Sequence, residues 1–148
     1  MDEQFWLIVK DKPVLLASVM NALCGNAHIS LEGDLSKCDF SHIPGTISTE
    51  TQSLPRNTLW PKQDFVIIPL EPHTIQSILA QLKHLGRDLH AIIHIQIEKN
   101  GVREFGAYDN FHRDCVVSGP GVSEGLLQQL VSQDILYSFA PADKDRKD

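Results

Sequence analysis

The sequence predicts an α+β domain in which one sheet packs against helices on a single face. Two apolar runs, Phe5–Val9 and Asp64–Leu70, are each followed by a proline, an amphipathic segment and a glycine. Each amphipathic segment leads into a run of alternating polar and apolar residues, the first beginning at His28 and the second near His90. A repeated strand–helix–strand unit predicts a single-domain α/β sandwich with a ferredoxin-like βαββαβ core, to which a hairpin arm and a C-terminal helix–strand pair are added.

The first unit begins with Phe5–Val9, a continuous apolar run of the length and composition typical of a strand covered on both faces. Asp11 is suited to the N-cap of the following helix and Pro13 to its first turn, while Gly25 is suited to its end. The apolar residues between them recur at helical spacing. They are Leu15, Leu16, Val19, Met20 and Leu23.

A long segment without periodicity, residues 33–63, follows the first unit and is called the arm below. It is rich in Ser, Thr, Pro and Gly, and about thirty residues is long for a simple connection. Such segments are typically binding loops, lids or partly disordered arms. We expect Phe40 and Trp60 to be exposed in the arm, where aromatic side chains can anchor a partner.

The second unit begins with Asp64–Leu70, in which Pro69 interrupts strand pairing near the end. Pro72 then opens a helix that Gly86 ends. The apolar positions of this helix also follow a spacing of three and four residues. They are Ile75, Ile78, Leu79, Leu82 and Leu85.

The Asn-Gly dipeptide at positions 100 and 101 predicts a β-hairpin. A two-residue turn would place Ile97 opposite Glu104, whereas a three-residue loop with a G1 bulge would place Ile95 opposite Phe105. We favour the three-residue loop because it keeps one face of the hairpin consistently apolar. The other face then carries His90, Ile92, His94, Gln96 and Tyr108.

The C-terminal part predicts a short strand at 115–117 and a third helix capped by Ser123. Leu126, Leu127, Leu130 and Val131 give this helix its apolar face. A last strand is expected at 135–139. We therefore divide the chain into one α+β domain, residues 1–139, and a charged, disordered tail, residues 140–148.

Composition limits the classes of function. The 148 residues are 42% hydrophobic and 22% charged, which is ordinary for a soluble globular protein. A net charge of −6 argues against a nucleic-acid partner. No apolar stretch approaches the roughly 18 residues of a membrane span, and the N-terminus does not resemble a signal peptide. Three cysteines form no disulfide framework, so we expect a cytoplasmic protein.

The alternating strands predict a polar sheet face that is a candidate binding site. His28 and Glu32 share one face of the first alternating strand, and His90, His94 and Gln96 share one face of the second. Tyr108 and Asp109 reach the same area from the returning arm of the hairpin. Histidine and carboxylate together can bind a polar ligand or a metal, although a solvated sheet face shows the same pattern and is the more frequent explanation.

Cysteine and histidine residues suggest two further kinds of site. Cys38 precedes His42 by four residues, and His112 precedes Cys115 by three, which would suit a Cys2His2 zinc site only if the two pairs met. Alternatively, a histidine could activate Cys38 or Cys115 as a nucleophile. The spacing matches no zinc motif, and a buried cysteine is commonly a small hydrophobic residue. We therefore expect no metal, no cofactor and no catalytic residue.

Taken together, these features favour a small acidic binding module over an enzyme. It would recognise a protein partner or a small ligand through the polar face and the arm, and a basic toxin or nuclease held in check by an immunity-type inhibitor is one concrete case. One alternative is a metal- or histidine-dependent enzyme that uses His28, Glu32, His90 and His94. The other is a structural or subunit-interface domain that forms a homodimer. Neither a nucleic acid nor a membrane is an expected partner.

Overall fold

The computed structural model describes residues 3–142, which form one antiparallel seven-stranded sheet and three helices. The elements are β1 (Phe5–Val9), α1 (Lys12–Leu23), β2 (Ala27–Gly33), β3 (Asp64–Leu70), α2 (Ile75–Leu82), a 3-10 turn (Lys83–Leu85), β4 (Ile92–Lys99), β5 (Val102–Ala107), β6 (Val116–Ser118), α3 (Glu124–Ser132) and β7 (Leu136–Pro141). The strands lie side by side in the order β3-β2-β4-β5-β6-β1-β7. The predicted α+β class is confirmed.

The strand order contains two split βαβ units. β3 and β4 both pair antiparallel with β2, so they run parallel to each other and α2 connects them. In the same way β6 and β7 flank β1, and α3 connects them. The predicted ferredoxin-like core is not confirmed, because β5 and β6 separate β1 from the contiguous group β3-β2-β4.

All three helices pack on the same face of the sheet. β1 points in the opposite direction to β3 and β6. The connection from β1 to β2 also crosses the sheet in the opposite direction to the connections from β3 to β4 and from β6 to β7. Because both directions are reversed, right-handed crossovers place all three helices on the same face. Leu16 of α1, Ile78 of α2 and Leu127 of α3 accordingly share one buried cluster with Ile29 and Ile97 of the sheet. On the other face of the sheet, called the back face below, no helix of the described residues packs.

The N-caps of α1 and α3 are found where the sequence predicts them, whereas α2 begins at Ile75 rather than at Pro72. The Asp11 carboxylate accepts a hydrogen bond from the Val14 N–H at 3.3 Å, and the Ser123 hydroxyl accepts one from the Leu126 N–H at 3.1 Å. Each cap satisfies an N–H group that has no partner within its helix. The α1 cap therefore fixes where this helix leaves β1.

The β4–β5 hairpin combines features of both predicted registers. Asn100 and Gly101 both have positive φ, 53° and 83°, as a two-residue type I′ turn requires. A register shift next to Ile97 then places this residue opposite Phe105 rather than Glu104. The favoured three-residue loop is wrong, but the bulge keeps the apolar face continuous, which is the reason that the prediction relied on.

The C-terminal strand extends beyond the predicted domain boundary. Ala140 and Pro141, which were assigned to the tail, pair with Trp6 and Phe5 at the end of β7. The rest of the predicted tail, residues 143–148, lies outside the described residues. Among residues 3–142, no helix has both the length and the apolar composition that crossing a bilayer requires.

Candidate functional site: the polar face and the arm

Neighbouring strands β2 and β4 bring the predicted polar residues together on the back face. Three pairs face each other there: His28 with Glu98, Ser30 with Gln96, and Glu32 with His94. These six residues are called the polar face below. All of them except His28 are buried, with exposed fractions between 1% and 7%. The polar face is therefore not a solvated sheet surface, and its polar atoms must find hydrogen-bond partners other than bulk water.

The Glu32 carboxylate holds the arm through two consecutive backbone groups. One carboxylate oxygen accepts a hydrogen bond from the Asn57 N–H at 2.9 Å, and the other accepts one from the Thr58 N–H at 3.1 Å. Hydrogen bonds to a charged acceptor are stronger than neutral ones, and this acceptor is buried. Glu32 is thus the main anchor of the arm on the sheet.

His94 links the same part of the arm to the loop after β5. Its Nε2 lies 2.8 Å from the Thr58 hydroxyl, and its Nδ1 lies 3.3 Å from the Asp109 backbone nitrogen. An N–H that points at Nδ1 needs a lone pair there, so the ring proton sits on Nε2. His94 therefore donates to the Thr58 hydroxyl and cannot remove its proton in this arrangement.

Gln96 extends the network to the middle of the sheet. Its amide nitrogen donates to the Ser30 hydroxyl at 3.1 Å and to the Pro55 carbonyl of the arm at 2.9 Å. Its amide oxygen accepts hydrogen bonds from the Arg103 guanidinium and from the Tyr108 hydroxyl. A single buried amide thus joins the arm to two strands and has all of its polar atoms satisfied.

Gly106 lets the Tyr108 ring reach this amide. A Cβ at position 106 would lie 2.7 Å from the Tyr108 hydroxyl oxygen, which is closer than any real side chain could remain. The ring occupies the space that a side chain on β5 would otherwise fill. The position of Tyr108 beside the polar face therefore depends on the glycine.

An apolar contact secures the arm over β3, the strand at this edge of the sheet. Leu54 is buried against Phe65 and Ile67 of β3, in a cluster separate from the main core. Ile47 forms a β-bridge with Ile67, which covers part of the open edge of β3. The Arg56 guanidinium lies over the Phe65 ring, 4.8 Å from its centre. The arm is thus attached at the edge as well as over the polar face.

The tip of the arm, Leu59 and Trp60, is the part that remains outside. Both residues are 87% exposed. Thr58 is bound to Glu32 just before the tip, and the Gln63 carbonyl just after it accepts a hydrogen bond from Arg56 at 2.8 Å. Two large apolar side chains therefore protrude between two fixed points.

The remaining predicted site residues lie elsewhere. Phe40 is buried in the main core, so the expectation that it is an exposed anchor is wrong. His90 is exposed in the turn before β4 and does not share a strand face with His94. The His28 side chain is 44% exposed, and its Nδ1 lies 2.6 Å from a Glu98 carboxylate oxygen at the border of the polar face. Asp109 is exposed and contributes its backbone N–H.

The three cysteines are unpaired, and Cys38 and Cys115 are poorly suited to act as nucleophiles. Burial raises the pKa of the Cys38 thiol, and burial together with the nearby Asp109 carboxylate raises the pKa of the Cys115 thiol. A raised pKa lowers the thiolate fraction, whereas catalysis requires the opposite. Within residues 3–142, no group of three or more His, Cys, Asp or Glu side chains is arranged to hold a metal ion.

Several residues of this network could not have been identified from the sequence. Pro55 and Asn57 contribute backbone groups, which carry no signal in the side-chain pattern. Arg103 looks like an ordinary exposed strand residue. Leu59 could have been identified, since a Leu-Trp pair inside a polar segment is unusual.

The chain matches no protein-family model, and neither a curated protein nor a solved structure is significantly similar to it. Its function must therefore be inferred from the geometry of its own residues.

Proposed function

We propose that this protein is a non-catalytic binding module that presents the tip of the arm, Leu59 and Trp60, to a partner protein. The observation that carries the proposal is that both side chains are 87% exposed on a segment that is hydrogen-bonded on either side. Tryptophan is among the residues that most often dominate interface energies. A segment already held in place loses less conformational entropy on binding.

The polar face has a supporting role in this proposal. Glu32, His94 and Gln96 are occupied by backbone and side-chain groups of the protein itself, so they do not offer free donors or acceptors to a ligand. They hold the arm against the sheet and so determine where the tip points. The arm therefore carries the binding surface, and the polar face supports it.

A basic protein is the partner class that the charge favours. The net charge of −6 attracts a positively charged partner over distances of several ångströms, and the tip then supplies the short-range apolar contact. An immunity-type inhibitor of a basic toxin or nuclease remains the concrete version of this proposal. We place the protein in the cytoplasm, because three unpaired cysteines suit a reducing compartment.

Affinity capture followed by binding measurements on a purified partner tests the proposal. The Leu59→Ser/Trp60→Ser double variant should lose the partner, with the affinity falling by roughly 30-fold or more if the tip is a hot spot. Tyr137→Ser removes another exposed aromatic residue, 62% exposed on β7, and should bind as the wild type does. Equal capture by both variants would contradict the proposal.

The geometry gives less support to the enzyme alternative. His94 donates to Thr58 instead of acting as its base, and His90 is outside the polar face. His28 is paired with Glu98 at the border. The four residues assigned to that alternative therefore do not converge on one reacting atom, which general acid–base catalysis would require.

A further inference from the structure

A surface groove lies between α1 and α2, on the helical side of the sheet and away from the arm. It has a volume of about 420 Å³. This volume falls within the range of roughly 300–1,000 Å³ that is typical of small-molecule sites. The groove therefore has the size of a ligand site and lies outside the surface assigned to a partner protein.

The lining of the groove is mainly aliphatic. Pro13, Val14 and Ala17 contribute from α1, and Leu79 and Leu82 contribute from α2. Within the described part of the chain, no aromatic residue and no methionine lines it, although these are the side chains typical of grooves that receive a protein segment. A flexible hydrocarbon chain suits such a surface, because apolar burial needs no specific direction.

The charges that line the groove are all positive. Among residues 3–142, Lys83 and Arg87 are the only charged residues that line the groove, in a protein whose net charge is −6. Arg87 is paired with Asp11 at 2.8 Å. The Lys83 side chain is exposed, and in the described part of the chain no hydrogen bond or ion pair joins its ammonium group to another residue. Its ammonium group is thus available to an anion at the rim.

We propose that this groove binds the monomeric anion of a long-chain fatty acid. The hydrocarbon chain lies along Val14, Ala17 and Leu79, and the carboxylate pairs with Lys83. The aliphatic lining suits the hydrocarbon tail of the ligand, and the unpaired Lys83 ammonium group at the rim suits its carboxylate. This site is independent of the tip, so either proposal can fail without the other.

Calorimetric titration with dodecanoate, below the concentration at which it forms micelles, tests the ligand class. We expect binding of one molecule per chain, and octanoate should bind more than about tenfold more weakly because it buries less apolar surface. Dodecyltrimethylammonium carries the same tail with a positive head group and should bind more weakly than dodecanoate. Equal affinity for the two head groups would overturn the assignment of a carboxylate.

Variants of the groove test its location. Lys83→Glu should weaken dodecanoate binding by about five- to tenfold, because an exposed ion pair is replaced by repulsion. Lys37→Glu reverses an exposed lysine in the arm and should leave the affinity unchanged. Ala17→Phe fills the groove and should abolish binding, and thermal unfolding shows whether that variant remains folded.

The proposal is likewise overturned if the wild type does not bind dodecanoate, if Lys83→Glu leaves the binding unchanged, or if a folded Ala17→Phe protein still binds. Vesicles of neutral and of anionic lipid distinguish a membrane surface from a free fatty acid. Binding to anionic vesicles without binding to monomeric dodecanoate would also reject the proposal. None of these measurements involves the tip, so they do not depend on the proposed protein partner.

Discussion

In the β3-β2-β4 half of the sheet, the back face is polar and buried, and the arm covers it. In the β6-β1-β7 half, the same face carries Trp6, Ile8 and Val117, and each of these residues keeps part of its surface exposed. A groove of about 290 Å³, lined in part by Tyr108 and Val117, opens on this second half. The two halves share a split βαβ plan but use the back face in opposite ways.

The difference shows what each kind of covering segment requires. A helix satisfies its own backbone hydrogen bonds and can therefore cover an apolar surface. The arm has little regular structure, so its backbone groups need partners wherever it is buried. Glu32 and Gln96 supply these partners for Asn57, Thr58 and Pro55. The polar pattern of the β3-β2-β4 half is thus complementary to an irregular segment rather than to water.

The largest predicted effect comes from removing the Glu32 carboxylate, which anchors the arm on the β3-β2-β4 half of the sheet. Glu32→Ala should lower the free energy of unfolding by about 3 kcal/mol, because two backbone N–H groups of the arm lose their acceptor and a cavity forms where the buried Glu32 side chain was. Urea denaturation measures this loss. The arm should also become a site of rapid cleavage by a protease near the tip, since its anchor on the sheet is gone.

Val117→Ala is the matched control in the other half. It removes a partly exposed apolar side chain from the back face and should lower the free energy of unfolding by about 1 kcal/mol or less. It should leave protease sensitivity near the tip unchanged. If Glu32→Ala were no more damaging than Val117→Ala, the arm would not depend on the polar face.

The second prediction isolates one hydrogen bond of the network. Thr58→Val keeps the shape of the side chain but removes the hydroxyl that His94 contacts, so the free energy of unfolding should fall by about 1 kcal/mol. Thr49→Val, at an exposed position of the same arm, should change it by less than about 0.5 kcal/mol. Equal effects in urea denaturation would mean that the Thr58–His94 contact adds nothing.

These contacts also show how much of the site could be predicted from the sequence. Period-2 alternation correctly placed Ser30, Glu32 and Gln96 on one sheet face, because side chains of a strand must alternate. Alternation says nothing about what covers that face. The covering segment comes from the arm, and its backbone groups are matched only in three dimensions. Sequence reasoning therefore found the residues and misjudged their exposure.

The same limit explains the errors on single residues. Phe40 lies in a segment that looks irregular, yet it belongs to the main core, because an irregular segment can still bury side chains. His90 precedes a register shift between β2 and β4, so counting back from His94 does not place it correctly. The two split βαβ units could not be identified either, since strand order depends on long-range pairing.

The third prediction concerns the exposed half directly. Ile8→Thr keeps a β-branched side chain on β1 and removes apolar surface that is only partly covered, so stability should fall by about 0.5 kcal/mol. Thermal unfolding measures this change. Ile29→Thr is the contrast on the helical face, where the side chain is fully buried, and should cost several times more. Similar losses would show that the back face of β1 is covered after all.

The smallest effect concerns reactivity rather than stability, at the loop that joins the two halves. Burial is the main cause of the raised pKa of the Cys115 thiol, and the Asp109 carboxylate, 3.8 Å away, raises it further. Asp109→Asn removes the second cause, so the pKa should fall part of the way towards its usual value. The rate of alkylation by iodoacetamide at pH 8 should then increase, and its pH profile should move to lower pH.

The alkylation is measured with Cys24 and Cys38 replaced by serine, so that only Cys115 reacts. Asparagine tolerates the positive φ of 51° at position 109, and the backbone N–H that faces His94 is retained. Glu124→Gln, which removes an exposed carboxylate in the first turn of α3, is the control and should leave the rate unchanged. An unchanged rate in Asp109→Asn would contradict the contribution of the Asp109 carboxylate and leave burial and the Asp114 carboxylate as the causes of the raised thiol pKa.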